Sequence, residues 1–347
     1  MRSAPLFKIA MVASPLVLLT ACVSMSEWGG SKNDPYQDTI GLLPPARSSL
    51  PNYQETGEFT TDMARWLNAV RQAVGLPALP QQENVQQSAQ NHANYQVMNH
   101  TNGHSETPGL PGFTGTRPSE RIAATHPTNL AGEVTVYYTG YGPKYHPSGV
   151  KAIQTLIDAP FHRIIMLSDF KVMGVGYDSD YKSDDVIVHT GFNVDFADNA
   201  KTLNHSYLIT YPYANQMEIP TEWYAKEDPN PFGTTPRYIG KMVGYPVTIQ
   251  GATTDRLIIS SFNIETSAGT KVPCREIDPQ TRAIGGYLHG AAMCVPYQPY
   301  TPNTEYIATV SGTKNGQPFT VMWNWITRAA ALTTASVAAD MVSVASN

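Results

Sequence analysis

The period of the apolar residues changes once along this chain, and that change bounds the fold. Up to about residue 200, apolar residues recur at helical spacing in several segments. From about His205 the helical period disappears, and short β-rich runs separated by Gly, Pro and Asn replace it. Met63, Trp66, Leu67, Val70 and Val74 form the apolar face of a helix that starts near Thr60 or Thr61 and is ended by Gly75-Leu76-Pro77. A second helix spans 82–99, with Val85, Ala89, His92, Ala93, Gln96 and Val97 on one face, which makes position 92 semi-buried. Residues 100–148 read as a long irregular region, a class of segment that is often functional. A third helix over 149–157 turns Val150, Ile153, Leu156 and Ile157 inward. The runs 171–178 and 186–195, joined by a polar, acidic turn, predict an antiparallel hairpin. In the second half Tyr245-Pro246-Val247-Thr248-Ile249, Leu257-Ile258-Ile259 and Phe319-Thr320-Val321-Met322-Trp323 predict an all-β sandwich.

The ends point to export. Arg2 and Lys8 precede an apolar stretch over 9–19 that is shorter than the ~20 residues of a membrane span. It closes in Leu19-Thr20-Ala21-Cys22, which resembles the lipobox of bacterial lipoproteins. Cys22 is then the lipidated first residue of the mature protein, and the alternative is an ordinary signal peptide with a chance cysteine. More than one acyl chain gives stable anchoring, so the expected partner is a membrane. Val23 after the cysteine implies the outer membrane in a double-membraned cell. Residues 23–58 read as a flexible tether and 329–347 as a weakly ordered tail. The mature length of about 325 residues favours two domains, 59–200 and 205–328. A net charge of −5 provides no basic field for nucleic acid. Cys274 and Cys294 are the cysteines left besides Cys22, and an oxidising compartment predicts a disulfide between them; two buried free thiols are the alternative.

Three short pieces carry chemistry: Gly103-His104-Ser105-Glu106, Gly132-Glu133 and Pro160-Phe161-His162-Arg163, the last leading to Val172-Met173-Gly174-Val175-Gly176-Tyr177. His104, Glu133 and His162 could line one cleft built from distant segments, with His162 in a turn just past a helix. Two imidazoles beside an acid could hold a divalent metal or polarise a water.

At these residues the chain resembles the CAP superfamily, also called SCP-like. The matching pieces are Gly75-Leu76-Pro77-Ala78-Leu79, Ala89-Gln90-Asn91-His92-Ala93, His104 twelve residues after His92, Gly132-Glu133, His162-Arg163 and Gly174-Val175-Gly176-Tyr177, over about 59–196. The departures are Val134 for the usual Asn, Phe161 for Gly, Leu156 for Trp, and no acid just before His162, Asp158 being the nearest. The resemblance implies an α+β fold, an α-β-α sandwich around an antiparallel sheet, with a cleft of His104, Glu133 and His162 that could hold zinc as three ligands. The second half resembles the Ig-like modules fused to bacterial CAP domains, on Asp228-Pro229-Asn230-Pro231, 245–250, Pro296, Pro299 to Pro302 before Tyr306, and Trp323-Asn324-Trp325-Ile326-Thr327. Three functions follow as expectations. One is an envelope-anchored protein binding a small apolar ligand, a lipid or a peptide. The second is a metal-dependent hydrolase with His104, Glu133 and His162 as catalytic residues. The third is a structural envelope protein with a non-catalytic cleft. The missing acid and the bulk of Phe161 weigh against the hydrolase.

Overall fold

The computed structural model of the chain describes residues 39–50, 53–183, 186–203 and 206–330. Cys22 with the expected signal segment, the expected tether up to residue 38 and the expected tail from residue 331 lie outside the described residues. The part of the expected tether that is described is packed rather than loose. β1 (Gly41–Leu42) pairs in parallel with β5 (Tyr207–Tyr211), and Ile40 is buried. Asp62 then gathers the run before the first helix, accepting Tyr53 Oη at 2.8 Å and the backbone N–H of Thr56 and Gly57.

The first half has a central antiparallel sheet in the order β2 (Ala131–Tyr141), β4 (Ile187–Asn199), β3 (Phe170–Ser179), with helices on both faces. Helices α1 (Phe59–Ala73), α4 (Gly149–Asp158) and α5 (Pro160–Met166) cover one face. That layer is apolar: Phe59 stacks on Tyr177 at 4.5 Å, and Phe192, Val194 and Phe196 are buried along β4. Helices α2 (Glu83–Asn99) and α3 (Pro118–Thr125) cover the other. Here the buried layer is polar. Gln96 donates to Thr135 at 2.9 Å, Asn193 donates to Gln96 at 3.3 Å, and His92, Ser88 and Asp195 are all inaccessible. The expected hairpin is present as β3 and β4, paired from Phe170↔Asn199 to Ser179↔Thr190.

The glycines of Gly174-Val175-Gly176-Tyr177 exist for α2. A Cβ on Gly174 would stand 2.1 Å from the backbone nitrogen of Gln86, and one on Gly176 would stand 2.3 Å from the carbonyl carbon of Ala89. The helix backbone lies directly on the strand, which no other residue permits.

The region 100–148, expected to be irregular, contains α3, β2 and a short 3₁₀ turn at Pro143–Tyr145. Pro118 in the first turn and Glu120, whose carboxylate accepts from the backbone of Thr116 and Arg117, start α3. The β-branched and aromatic run Val134-Thr135-Val136-Tyr137-Tyr138 supports β2. Position 92, expected to be half-exposed, is fully buried.

The second half is a β-sandwich. One sheet runs β1-β5-β9-β12-β11, with β9 (Val247–Gln250), β12 (Ala291–Pro296) and β11 (Cys274–Ile277). The other runs β10 (Leu257–Thr266), β13 (Glu305–Lys314), β14 (Gln317–Thr327), β6 (Gln216–Ile219). A ribbon of β7 (Glu222–Tyr224) and β8 (Met242–Gly244) adjoins them. β13 alternates strictly between buried and half-buried positions, the signature of one covered face. Cys274 and Cys294 form the expected disulfide between neighbouring strands β11 and β12.

The two halves share one hydrophobic core that runs from α1 to Trp325. Arg163 fastens them. It is buried in α5, donates to the carbonyl of Pro246 at 2.7 Å, and lies 4.7 and 4.8 Å over the rings of Tyr211 and Tyr245. Among the described residues no helix is long and apolar enough to cross a membrane. Replacing Gly176 with Ala forces α2 off β3, and the expected loss of stability is at least the ~1–3 kcal/mol typical of core overpacking. Urea denaturation of the variant measures it; an unchanged midpoint would mean that α2 does not rest on this strand.

Candidate functional site

Glu133 sits on β2 beneath α2, almost wholly buried, and three cationic or imidazole groups answer its charge. Its Oε2 accepts Arg121 Nη2 at 2.5 Å and its Oε1 pairs with His104 Nδ1 at 2.8 Å, while His92 Nε2 lies 3.9 Å away. Burial alone would push this carboxyl up. The His104 hydrogen bond and the charges of His92 and Arg121 outweigh it and hold the pKa down to about 2. Glu133 is therefore ionised and accepts only, so His104 carries its proton on Nδ1 and leaves Nε2 as the available nitrogen.

Glu106 forms the second half of this cluster. It pairs with His92 Nδ1 at 2.9 Å, accepts the backbone N–H of Thr114 at 2.6 Å and lies 3.5 Å from Arg121 Nε. Burial again opposes its charge and is again outweighed, here by the His92 hydrogen bond and the Thr114 N–H. Two carboxylates, one guanidinium and two imidazoles thus tie α2, the 100–117 loop, α3 and β2 into one unit. Asp195 stands directly across from Glu133 in the β2–β4 register. Burial, followed by the Glu133 charge, raises its pKa well above 3.8.

His162 lies on α5, not in a turn beyond a helix as the sequence implied, because Pro160 starts a new helix there. Its partner comes from the other half of the molecule. Glu227 Oε1 accepts the backbone N–H of His162 at 2.9 Å and pairs with its Nδ1 at 2.6 Å. The Glu227 side chain is fully buried and its Oε2 has no partner. Asp158, the nearest acid by sequence, turns away from the cleft: its buried carboxyl is raised by burial and accepts Tyr245 Oη at 2.7 Å. The acid missing before His162 is thus supplied from the far side of the seam.

His104 and His162 face each other with ring centroids 6.1 Å apart. Both line a cavity of about 640 Å³ that opens at the seam. Leu130, Phe161, Ile164, Ile165 and Phe170 line it from the first half, and Asp228, Pro229, Tyr287 and His289 from the second. Phe161 does not block it. Its ring forms one wall and packs edge-on against Tyr287 at 6.2 Å.

The cleft residues do not fit a three-ligand metal site. Glu133 is committed to Arg121 and His104, and His162 Nδ1 is committed to Glu227, so His104 and His162 offer two Nε2 atoms and no third donor of the triad. Among the described residues, a group of three ligands within 4.8 Å of one another occurs instead at His100, Asp180 and His189. Sequence reading found His104, Glu133 and His162 and missed Arg121, Asp195 and Glu227. Glu106 stood inside a quoted piece without a role, and Glu227 directly precedes the Asp228-Pro229-Asn230-Pro231 turn.

Replacing Asp195 with Asn keeps the shape and removes the titration. A raised carboxyl contributes its full stability below its ordinary value of 3.8 and loses it as pH rises through the folded value. The Tm of the wild type should therefore fall relative to Asp195→Asn as pH rises from about 4 into the alkaline range. A Tm difference that stays flat with pH would show that Asp195 does not hold a proton beside Glu133.

Residues 65–192 match the model of the CAP family, the cysteine-rich secretory protein family. That segment holds His104, Glu133 and His162 and stops short of Glu227. A solved structure of an extracellular protein containing a SCP domain from Bacillus anthracis str. Ames aligns at 21% identity and a TM-score of 0.32. The alignment covers 40% of this chain and 40% of that one. No curated protein matches the chain.

Proposed function

We propose that this CAP domain and the β-sandwich that closes it form an envelope-anchored binding protein for a small amphipathic molecule. The carrying observation is the seam cavity of about 640 Å³, apolar over most of its wall, into which two imidazoles bring oriented nitrogens. Its size falls in the ~300–1,000 Å³ range of sites for small organic ligands. Phe161, Ile165 and Phe170 take the apolar body, whose burial contributes about 25 cal/mol per Å² removed from water. With Nδ1–H donated to a carboxylate, His104 Nε2 presents a lone pair to a hydroxyl head group. The sandwich, an Ig-like module in this reading, supplies Glu227 and one wall. Cys22 carries the lipid that holds the protein at the membrane, the outer one in a double-membraned cell.

A second reading is hydrolysis, favoured by the His104–Glu133 pair. A base oriented through Nδ1 by an ionised carboxylate has the form that activates a water. It needs no three-ligand metal.

Ligand-binding and fractionation experiments test the proposal. Native mass spectrometry and displacement of a fluorescent fatty-acid probe should detect a bound apolar molecule, and Ile165→Arg should weaken the probe at least tenfold with unchanged circular dichroism. A protein that is consistently empty, with probe affinity indifferent to Ile165→Arg, would end the binding reading; cleavage of an ester probe that is lost in His104→Gln would establish the second. Cys22→Ser should move the protein from the membrane fraction to the soluble one, and a variant that stays membrane-bound would remove the lipid anchor.

A further inference from the structure

The end of α2 and the turn end of the β3–β4 hairpin bring together three residues that have no part in the cleft. His100 is the helix C-cap, in the left-handed conformation at φ 50° and ψ 47°. That turn lays its imidazole on the ring of His189, with centroids 3.7 Å apart and planes within 7°. Asp180 follows β3 and is pinned to the same residue: its Oδ1 accepts the backbone N–H of His189 at 2.6 Å, and its own N–H donates to the His189 carbonyl at 3.1 Å. One ligand atom from each of the three lies within 4.8 Å of the other two. We propose that His100, Asp180 and His189 form a binding site for one divalent transition-metal ion of the zinc, nickel or copper class.

The donor set is two imidazoles and one carboxylate, which suits these borderline ions better than magnesium or calcium, whose preferred ligands are all oxygen. His189 is already oriented. Its Nδ1 lies 2.6 Å from Tyr137 Oη and 3.2 Å from Thr139 Oγ1, and a ring nitrogen that donates its proton to such an oxygen frees the other for a metal. Two parallel rings cannot both aim a lone pair at one ion. Binding therefore turns His100, the exposed member, out of the stack while His189 stays on Tyr137. Three protein ligands leave a position for water.

The site shares no residue with the cavity lining, so it stands or falls apart from the proposed ligand. Calorimetric titration of the full-length protein with zinc alone tests it. The expected result is saturable binding that loses one equivalent, or weakens at least tenfold, in His100→Ala and separately in Asp180→Asn. The double variant His104→Ala/His162→Ala should retain that equivalent. Zinc should also raise the Tm of the wild type and not that of His100→Ala, since a ligand specific to the folded state stabilises it. His100 is exposed, so its truncation leaves the core intact. Absence of saturable binding, affinity and stoichiometry unchanged in His100→Ala, or loss of all binding in the cleft double variant would each overturn the site.

Discussion

A carboxylate removed from water must be answered by charge or lose its own, and Glu133 shows how much structure one such requirement can organise. Arg121, His104 and His92 reach it from α3, from the loop after α2 and from α2 itself. Glu106 then balances Arg121 and His92 from the opposite side. Without the charge on β2, Arg121 and His104 lose the acceptor that draws α3 and the loop after α2 toward the sheet. The neighbouring Asp195 has no cation to itself, and burial beside the charged Glu133 raises its pKa well above the usual carboxylate range. Two acids side by side on adjacent strands are thus shifted in opposite directions because their partners differ.

The same economy of partners places the cleft at a seam. Arg163 and His162 are consecutive on α5, and both find their partners in the second half: Arg163 in the carbonyl of Pro246 and the rings of Tyr211 and Tyr245, His162 in Glu227. A buried guanidinium over two tyrosines and a buried carboxylate on an imidazole are costly to separate. The β-sandwich is therefore part of the site. It contributes the acid, one side of the cavity wall and Tyr287 against Phe161. The segment that matches the CAP family model stops at residue 192, short of Glu227 and of the second-half residues that line the cavity.

Helix faces and the β3–β4 hairpin were legible because one side of each meets an apolar layer, and burial of one side imposes a period. The α2 face was harder. It meets a polar layer, so the sequence places His92 and Gln96 on that face without showing that they, and Ser88, are completely buried. The segment 100–148 was read as irregular since its Gly, Pro and Thr content outweighed one helical turn of capping signal and five residues of strand propensity. His162 was placed beyond a helix because Pro160 reads as a stop, whereas a proline in a first turn starts a helix equally well.

By itself the sequence determined the helices at 59–73, 83–99 and 149–158, the β3–β4 hairpin, the disulfide, and the candidates His104, Glu133 and His162, since each rests on a residue's own chemistry and its near neighbours. It also marked Gly174 and Gly176, whose reason only the fold discloses: a helix backbone with no room for a Cβ. Tertiary structure alone decided what those candidates do. Whether Glu133 is a metal ligand or the orienting partner of His104 depends on Arg121, and whether His162 has an acid depends on Glu227, 65 residues away. Charge compensation acts through space and carries no period along the chain. The pairings that turn three residues into a cleft are therefore set where the chain packs against itself.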